Sequence, residues 1–96
     1  MNIGAVLAQL NDDSDAAELV LASGGLTMLR SVQREAKVEN LELATYVRAI
    51  VQRYATTASD EEWVTLIANM GRASDPGLAY VKRALESELV KSRNAP

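Results

Sequence analysis

The sequence predicts an all-α fold, a single compact bundle of five or six helices around a central helix at residues 41–58. Apolar residues recur at helical spacing along most of the chain. Only two prolines and five glycines interrupt a sequence rich in Ala, Leu and Glu, which favours helix. A hydrophobic content of 48% is typical of a globular chain. We therefore expect residues 1–96 to form one helical domain, with residues 92–96 as a frayed tail.

The segment 41–58 carries the longest amphipathic pattern. Its apolar residues recur at i, i+4, i+7, i+8, i+11 and i+15: Leu43, Val47, Ile50, Val51, Tyr54 and Ala58. On a helix these positions lie along one face, and the opposite side is polar. The pattern predicts a helix with one buried face, and Asn40 is its expected N-terminal cap.

Three shorter helices are predicted before this segment. Four apolar residues at i, i+3, i+4 and i+7 mark the first: Ile3, Val6, Leu7 and Leu10. Asp13 or Ser14 can cap a second helix that runs to about residue 23, where Gly24 and Gly25 are expected to end it. The alternative for residues 18–22 is a strand, because periodicity does not settle a short apolar run. A third helix is predicted over 26–37.

Two helices are predicted after the central one. Ser59 and Glu62 form an S-x-x-E capping box. The inner stripe expected for the helix that follows is Trp63, Leu66, Ile67 and Met70. Within it, Trp63 should be largely buried against the central helix. Asp75 as cap and Pro76 at the first position begin the last helix. The inner face expected for this helix is Leu78, Val81, Leu85 and Leu89.

The composition excludes several kinds of chemistry. The chain has no Cys and no His, so it has no disulfide, no thiolate nucleophile and no imidazole base or metal ligand. The first ten residues lack the basic start and long apolar run of a signal peptide, and no apolar stretch reaches membrane-spanning length. We therefore expect a cytoplasmic protein that does not enter a membrane.

No catalytic, cofactor-binding or metal-binding residues are predicted. The acidic segment 11–15 fails as a calcium loop because Ala16 stands where the turn needs Gly and Ala22 where a bidentate Glu is needed. No nucleophile is paired with a base, and no glycine-rich phosphate loop is present. These absences predict that the chain is not an enzyme.

Charge is distributed unevenly along the chain. Residues 1–29 carry four acids and no base, whereas residues 30–53 carry five bases and three acids. The five bases could form a basic ridge on two neighbouring helices: Arg30, Arg34, Lys37, Arg48 and Arg53. The interspersed Glu35, Glu39 and Glu42 dilute it, so we expect nucleic acid to bind weakly or not at all.

Residues 26–57 resemble the helix pair of ribbon-helix-helix DNA-binding proteins. Leu29, Val32 and Ala36, a short turn and then the segment 46–54, YVRAIVQRY, carry the resemblance. It implies helix-pair geometry and a dimer. The family reads DNA from polar and basic residues on a strand before the first helix, whereas residues 18–23 here are acidic and apolar. The whole chain is similar in character to small uncharacterised bacterial helical proteins, which implies no function.

The sequence thus predicts a small protein-interaction or regulatory module of a bacterial-type cytoplasm, and the alternative is a ribbon-helix-helix-like regulator. The expected partner is another protein or a second copy of the chain. The partner surface is predicted on the first helix and the end of the last, at Ile3, Val6, Leu7, Leu10 and Val90. The alternative is that the first helix completes a monomeric core.

Overall fold

Five helices form the structure, a computed structural model that describes residues 3–94, with side chains for residues 4–91. They are α1 (Ile3–Leu7), α2 (Asp13–Val38), α3 (Leu43–Thr57), α4 (Asp60–Arg72) and α5 (Pro76–Asn94). No strand occurs within residues 3–94, so the predicted all-α bundle is confirmed. Of the tail predicted at 92–96, residues 95 and 96 lie outside the described part, and residues 92–94 continue α5.

The predicted break at Gly24 and Gly25 is a kink inside α2. Gly25 has φ 82° and ψ −176°, a backbone conformation that is essentially restricted to glycine. The backbone of Gly25 is not helical, so α2 consists of two helical halves joined at this kink, and the predicted break between them is present. Residues 18–22 lie in its first half, and the strand alternative for them is wrong.

The connection from α2 to α3 is a Schellman turn. Asn40 adopts φ 57°, and its N–H donates to the Lys37 carbonyl at 3.0 Å. The N–H of Leu41 donates to the Ala36 carbonyl at 2.9 Å, which completes the motif. The prediction that Asn40 caps α3 is therefore wrong, because its left-handed backbone ends α2 instead.

Both N-terminal caps in this region come from the acidic segment 11–15. Asp12 caps α2 by accepting from the N–H of Asp15 at 2.8 Å, one residue earlier than predicted. Asp13 accepts from the N–H of Ala44 at 3.0 Å and so caps α3, 31 residues away in sequence. Asp12 and Asp13 of this segment thus cap helices. Among the described residues, no group of three or more acids could hold a metal ion.

The core is built mainly from α2, α3 and α5. The predicted inner residues Leu43, Val47, Ile50, Val51 and Tyr54 are all buried, together with Ala44 and Tyr46. On α5, Val81 and Leu85 are buried as predicted, and Leu78 and Leu89 are half-buried. Helix α5 contacts α2, α3 and α4, so it is as central to the bundle as α3.

Tyr80 is a core residue that the predicted stripe left out. Its side chain is fully buried, and its hydroxyl donates to the carbonyl of Val51 at 2.9 Å. A buried hydroxyl needs a partner, so this bond removes the cost of placing tyrosine in the core. It also fixes α5 against the middle of α3.

Candidate functional site

Helix α4 is anchored through one carboxylate, that of Glu62. Arg83 on α5 donates two hydrogen bonds to Glu62, from Nη2 to Oε2 at 2.9 Å and from Nε to Oε1. Tyr54 on α3 donates its hydroxyl to the same Oε1 at 2.6 Å. The carboxylate therefore ties α4 to α3 and α5 at the first turn of α4.

The electrostatics of this cluster follow from its hydrogen bonds and burial. The bonds from Arg83, and secondarily from Tyr54, lower the pKa of Glu62 to about 2. Burial, followed by the bond to Glu62, raises the pKa of Tyr54 to about 12. The same carboxylate raises the pKa of the Arg83 guanidinium. Glu62 is thus charged and Tyr54 neutral across the physiological pH range. The cluster therefore has a structural role, joining α4 to α3 and α5.

The capping box predicted at Ser59 is half formed. Ser59 Oγ accepts from the N–H of Glu62 at 3.1 Å, which confirms the cap. The Glu62 side chain does not turn back to complete the box, because its two oxygens are held by Tyr54 and Arg83. The S-x-x-E pattern predicted a local bond from Glu62, and this side chain instead bonds to residues on α3 and α5.

An aromatic cluster covers the inner side of α4. Trp63 lies 6.3 Å from the ring centroids of both Tyr54 and Tyr80, and the two tyrosines meet edge to face at 5.6 Å. Trp63 is half-buried, so the prediction that it is largely buried is only partly right. On α4 only Leu66 is fully buried.

The outer side of α4 is apolar and exposed. Val64 is 69% exposed and Ile67 64% exposed. They share one helix face with Ala68 and Gly71, at i, i+3, i+4 and i+7, and all four positions are exposed. We call Val64, Ile67, Ala68 and Gly71 the α4 face. Its apolar residues continue the half-buried Trp63 and Met70, so the apolar arc of α4 is wider than the bundle covers.

Exposed large hydrophobic residues elsewhere in the described part of the chain do not repeat this spacing within one helix, since Leu41, three positions after Val38, lies beyond the end of α2. These exposed residues are Leu21, Leu26, Val38, Leu41 and Val90. Single exposed apolar residues are normal on protein surfaces, whereas neighbouring ones on a helix form a patch. The α4 face is therefore the strongest candidate for a functional surface.

Sequence reasoning missed this face because it assigned Ile67 to the inner stripe of α4. That assignment is wrong, since Ile67 points to solvent. The signal was present in the sequence, because positions 64, 67, 68 and 71 form their own helical stripe beside the one at 63, 66 and 70. Two adjacent stripes on a short helix indicate more apolar surface than one partner helix can cover.

The predicted partner surface at the first helix is placed differently. Val6 and Leu10 are buried in the core of the chain, and Leu7 is half-buried against it. Arg48 donates from Nη2 to the carbonyl of Leu10, which fastens the segment after α1 to α3. The side chain of Ile3 lies outside the described residues. The structure thus corresponds to the alternative, in which this segment completes the core.

Val90, the remaining residue of that predicted surface, is 51% exposed. It lies beside a cleft of about 270 Å³ between the kink of α2 and the last turns of α5. The lining residues are Gly24, Thr27, Met28, Ser31, Glu86, Leu89 and Val90. Val6 and Leu10 are buried and do not line this cleft, so they form no common surface with Val90.

The residues of the predicted basic ridge have different surroundings. Arg30, Arg34 and Lys37 are exposed along the second half of α2. Arg48 donates a hydrogen bond to the carbonyl of Leu10, and Nη2 of Arg53 lies 3.6 Å from Oε1 of Glu88 in an ion pair. Among the side chains of residues 4–91, two of the five cations have partners, and Arg30, Arg34 and Lys37 have none.

Two shallow grooves, of about 570 and 530 Å³, run between α2 and the start of α5. They share Ala22, Asp75 and Leu78. Asp15 and Glu18 line the first, and Asp75 is already occupied in capping α5 through the N–H of Leu78 at 3.2 Å. The Ser23 hydroxyl in the second donates to the Val20 carbonyl. Neither groove pairs a nucleophile with a base.

Comparison with protein-family models, with curated proteins and with solved structures finds no match to this chain. Within residues 3–94, none of the helices combines the length and the apolar character needed to cross a bilayer.

Proposed function

We propose that this chain is a protein-interaction module and that the α4 face is its binding surface. The observation that carries the proposal is the exposure of Val64 and Ile67 on one face of a helix whose orientation Glu62 fixes. An interface needs an apolar patch that is held in a defined geometry. The ion pair of Glu62 with Arg83 helps to hold α4 in place.

The cytoplasm is the proposed setting, because the chain has no Cys with which to form a disulfide. The alternative role in DNA binding stays a prediction. Two of its five candidate cations, Arg48 and Arg53, have partners within the chain, which supports placing it second.

The test is a comparative capture experiment with three baits. They are the unmodified chain, the double variant Val64→Glu with Ile67→Glu, and the control Val38→Glu. Val38 is 74% exposed and is the last residue of α2, so it is an exposed apolar residue on a different helix. We expect at least one protein to be captured by the unmodified chain and the control and lost from the double variant. Capture of the same proteins by all three baits would contradict the proposal.

A further inference from the structure

The charges at the two ends of α4 are arranged to complement a reversed copy of the same helix. Asp60 and Glu61 lie in its first turn, and Arg72 is its last residue. Glu61 and Arg72 are eleven positions apart, which is close to three full turns, so they flank the same side of the α4 face. Val64, Ile67 and Ala68 lie between them.

We propose that a second copy of this chain binds the α4 face, with the two α4 helices antiparallel about a two-fold axis near Ile67 and Ala68. The inference rests on the proposed function, since it names the partner of the same surface. In this arrangement Val64 lies against Gly71 of the second copy, and Ile67 lies against its Ala68. Each Glu61 then lies within about one helical turn of the other copy's Arg72.

The free charges support this pairing. The side chains of Glu61 and Arg72 are exposed, and neither forms an ion pair with another residue of the 4–91 segment. Arg72 donates from Nη2 to Asn69 Oδ1 at 2.9 Å, a neutral acceptor that leaves its charge uncompensated. A two-fold axis makes every contact occur twice. Glu61 and Arg72 therefore form two ion pairs across the interface, one at each end of the α4 pair.

Charge also selects the antiparallel direction. A parallel pair would place the acidic first turns of both helices side by side, where like charges repel. The antiparallel pair sets each acidic first turn beside the basic end of the other helix and opposes the helix dipoles.

The small side chains on the face allow the two helices to approach. Ala68 and Gly71 present little bulk, and a methyl group added at Gly71 would find no atom within 4 Å in the isolated chain. Helices pack at about 8–10 Å between axes, and the short value requires small residues at the contact. One helix per copy buries less area than a permanent dimer needs, so the association is expected to be transient, with a Kd in the micromolar range.

The test measures the dimer Kd by sedimentation equilibrium for the unmodified chain, Glu61→Arg, Arg72→Glu and the variant that carries both. Each single reversal places like charges together and should weaken the dimer by about tenfold or more. The double reversal restores opposite charges and should return the Kd to within about threefold of the unmodified value. Glu18→Arg, on the exposed surface of α2, is the charge-matched control and should leave the Kd unchanged.

Circular dichroism should show the same helix content in all of these variants, because every substituted residue is exposed. An unmodified chain that stays monomeric at millimolar concentration would overturn the inference, as would single reversals that leave the Kd unchanged. The capture experiment separates the two claims. A monomeric chain that still loses a captured protein on substitution of Val64 and Ile67 overturns the self-pairing and leaves the interaction module standing.

Discussion

Arg83 and Glu62 meet side by side, with Nη2 of Arg83 2.9 Å from Oε2 of Glu62, and this pair joins α5 to the first turn of α4. The same carboxylate accepts the hydroxyl of Tyr54 from α3. Helix α4 has one fully buried residue, Leu66, so these polar contacts add to a small apolar contact with the bundle. The orientation of the α4 face follows from them.

Glu62→Gln should lower the free energy of unfolding by about 1–2 kcal/mol at neutral pH. The figure is modest because the Arg83 side chain is 38% exposed and solvent screens the pair. The pKa of Glu62 falls from 4.5 to about 2 on folding. The stabilisation is therefore complete above pH 4.5 and is lost as the pH falls towards 2, so the two proteins should converge in stability there.

Urea titrations across this pH range measure the effect. Glu18→Gln, which changes an exposed carboxylate on α2, is the matched control and should alter stability by less than about 0.5 kcal/mol. A constant difference between Glu62→Gln and the unmodified chain from neutral pH to pH 2 would contradict the assignment.

Asp13→Ala should destabilise the chain by about 1 kcal/mol, because the first turn of α3 loses the acceptor for the N–H of Ala44. Asp13→Asn keeps an acceptor oxygen and should cost only a few tenths of that amount. The midpoints of chemical denaturation of the two variants measure the difference. Equal destabilisation by both would show that the charge of Asp13, rather than its hydrogen bond, acts at this helix end.

Gly25→Ala should cost about 1–3 kcal/mol for conformational reasons alone. The added methyl would meet no atom within 4 Å, but φ at this position is +82°. Gly71→Ala is the comparison, since the methyl has equal space there and the backbone is helical, so stability should stay the same or rise slightly. Thermal unfolding at low protein concentration measures both. An unchanged melting temperature for Gly25→Ala would show that the kink relaxes into regular helix.

Duplex DNA should bind weakly and with little dependence on salt. Arg30, Arg34 and Lys37 are the exposed cations of the predicted ridge, and Glu35 lies among them. A protein that neutralised several phosphates would show a slope of about −0.9 per phosphate in a plot of log K against log salt. Fluorescence anisotropy checks this. Micromolar binding at physiological salt that Arg30→Ala with Arg34→Ala abolishes would favour the DNA-binding alternative.

Local signals in the sequence predicted much of the fold. The period of apolar residues placed all the helices, and the Ser59 and Asp75 caps are formed as their patterns indicate. One error arose where a side chain acts over a long distance, and another where a left-handed backbone conformation ends a helix. Asp13 caps a helix 31 residues away and Asn40 ends a helix rather than beginning one. The role of Asp13 is not visible in a local window, whereas Asn40 is a residue type that serves both to begin and to end helices.

The α4 face also depends on contacts that a local sequence pattern does not show. Its spacing is in the sequence, but whether Ile67 points inward or outward depends on how Glu62, Tyr54 and Arg83 rotate α4 on the bundle. Tyr80 likewise enters the core because its hydroxyl finds the Val51 carbonyl across the bundle. Periodicity identifies apolar stripes, and tertiary polar contacts decide which of them is buried.

Disulfide trapping at Ala68 tests the antiparallel α4 pair most directly. The chain contains no Cys, so Ala68→Cys introduces a single thiol, and this position lies beside the proposed two-fold axis. Two thiols bridge only when their Cα atoms come within about 7 Å, which the axis brings about for residue 68 and its copy. Mild oxidation should convert Ala68→Cys to a covalent dimer, and Glu61→Arg in the same chain should suppress the conversion. Val38→Cys, also exposed but on a different helix, should stay monomeric. Equal dimer yields from Ala68→Cys and Val38→Cys would contradict the account.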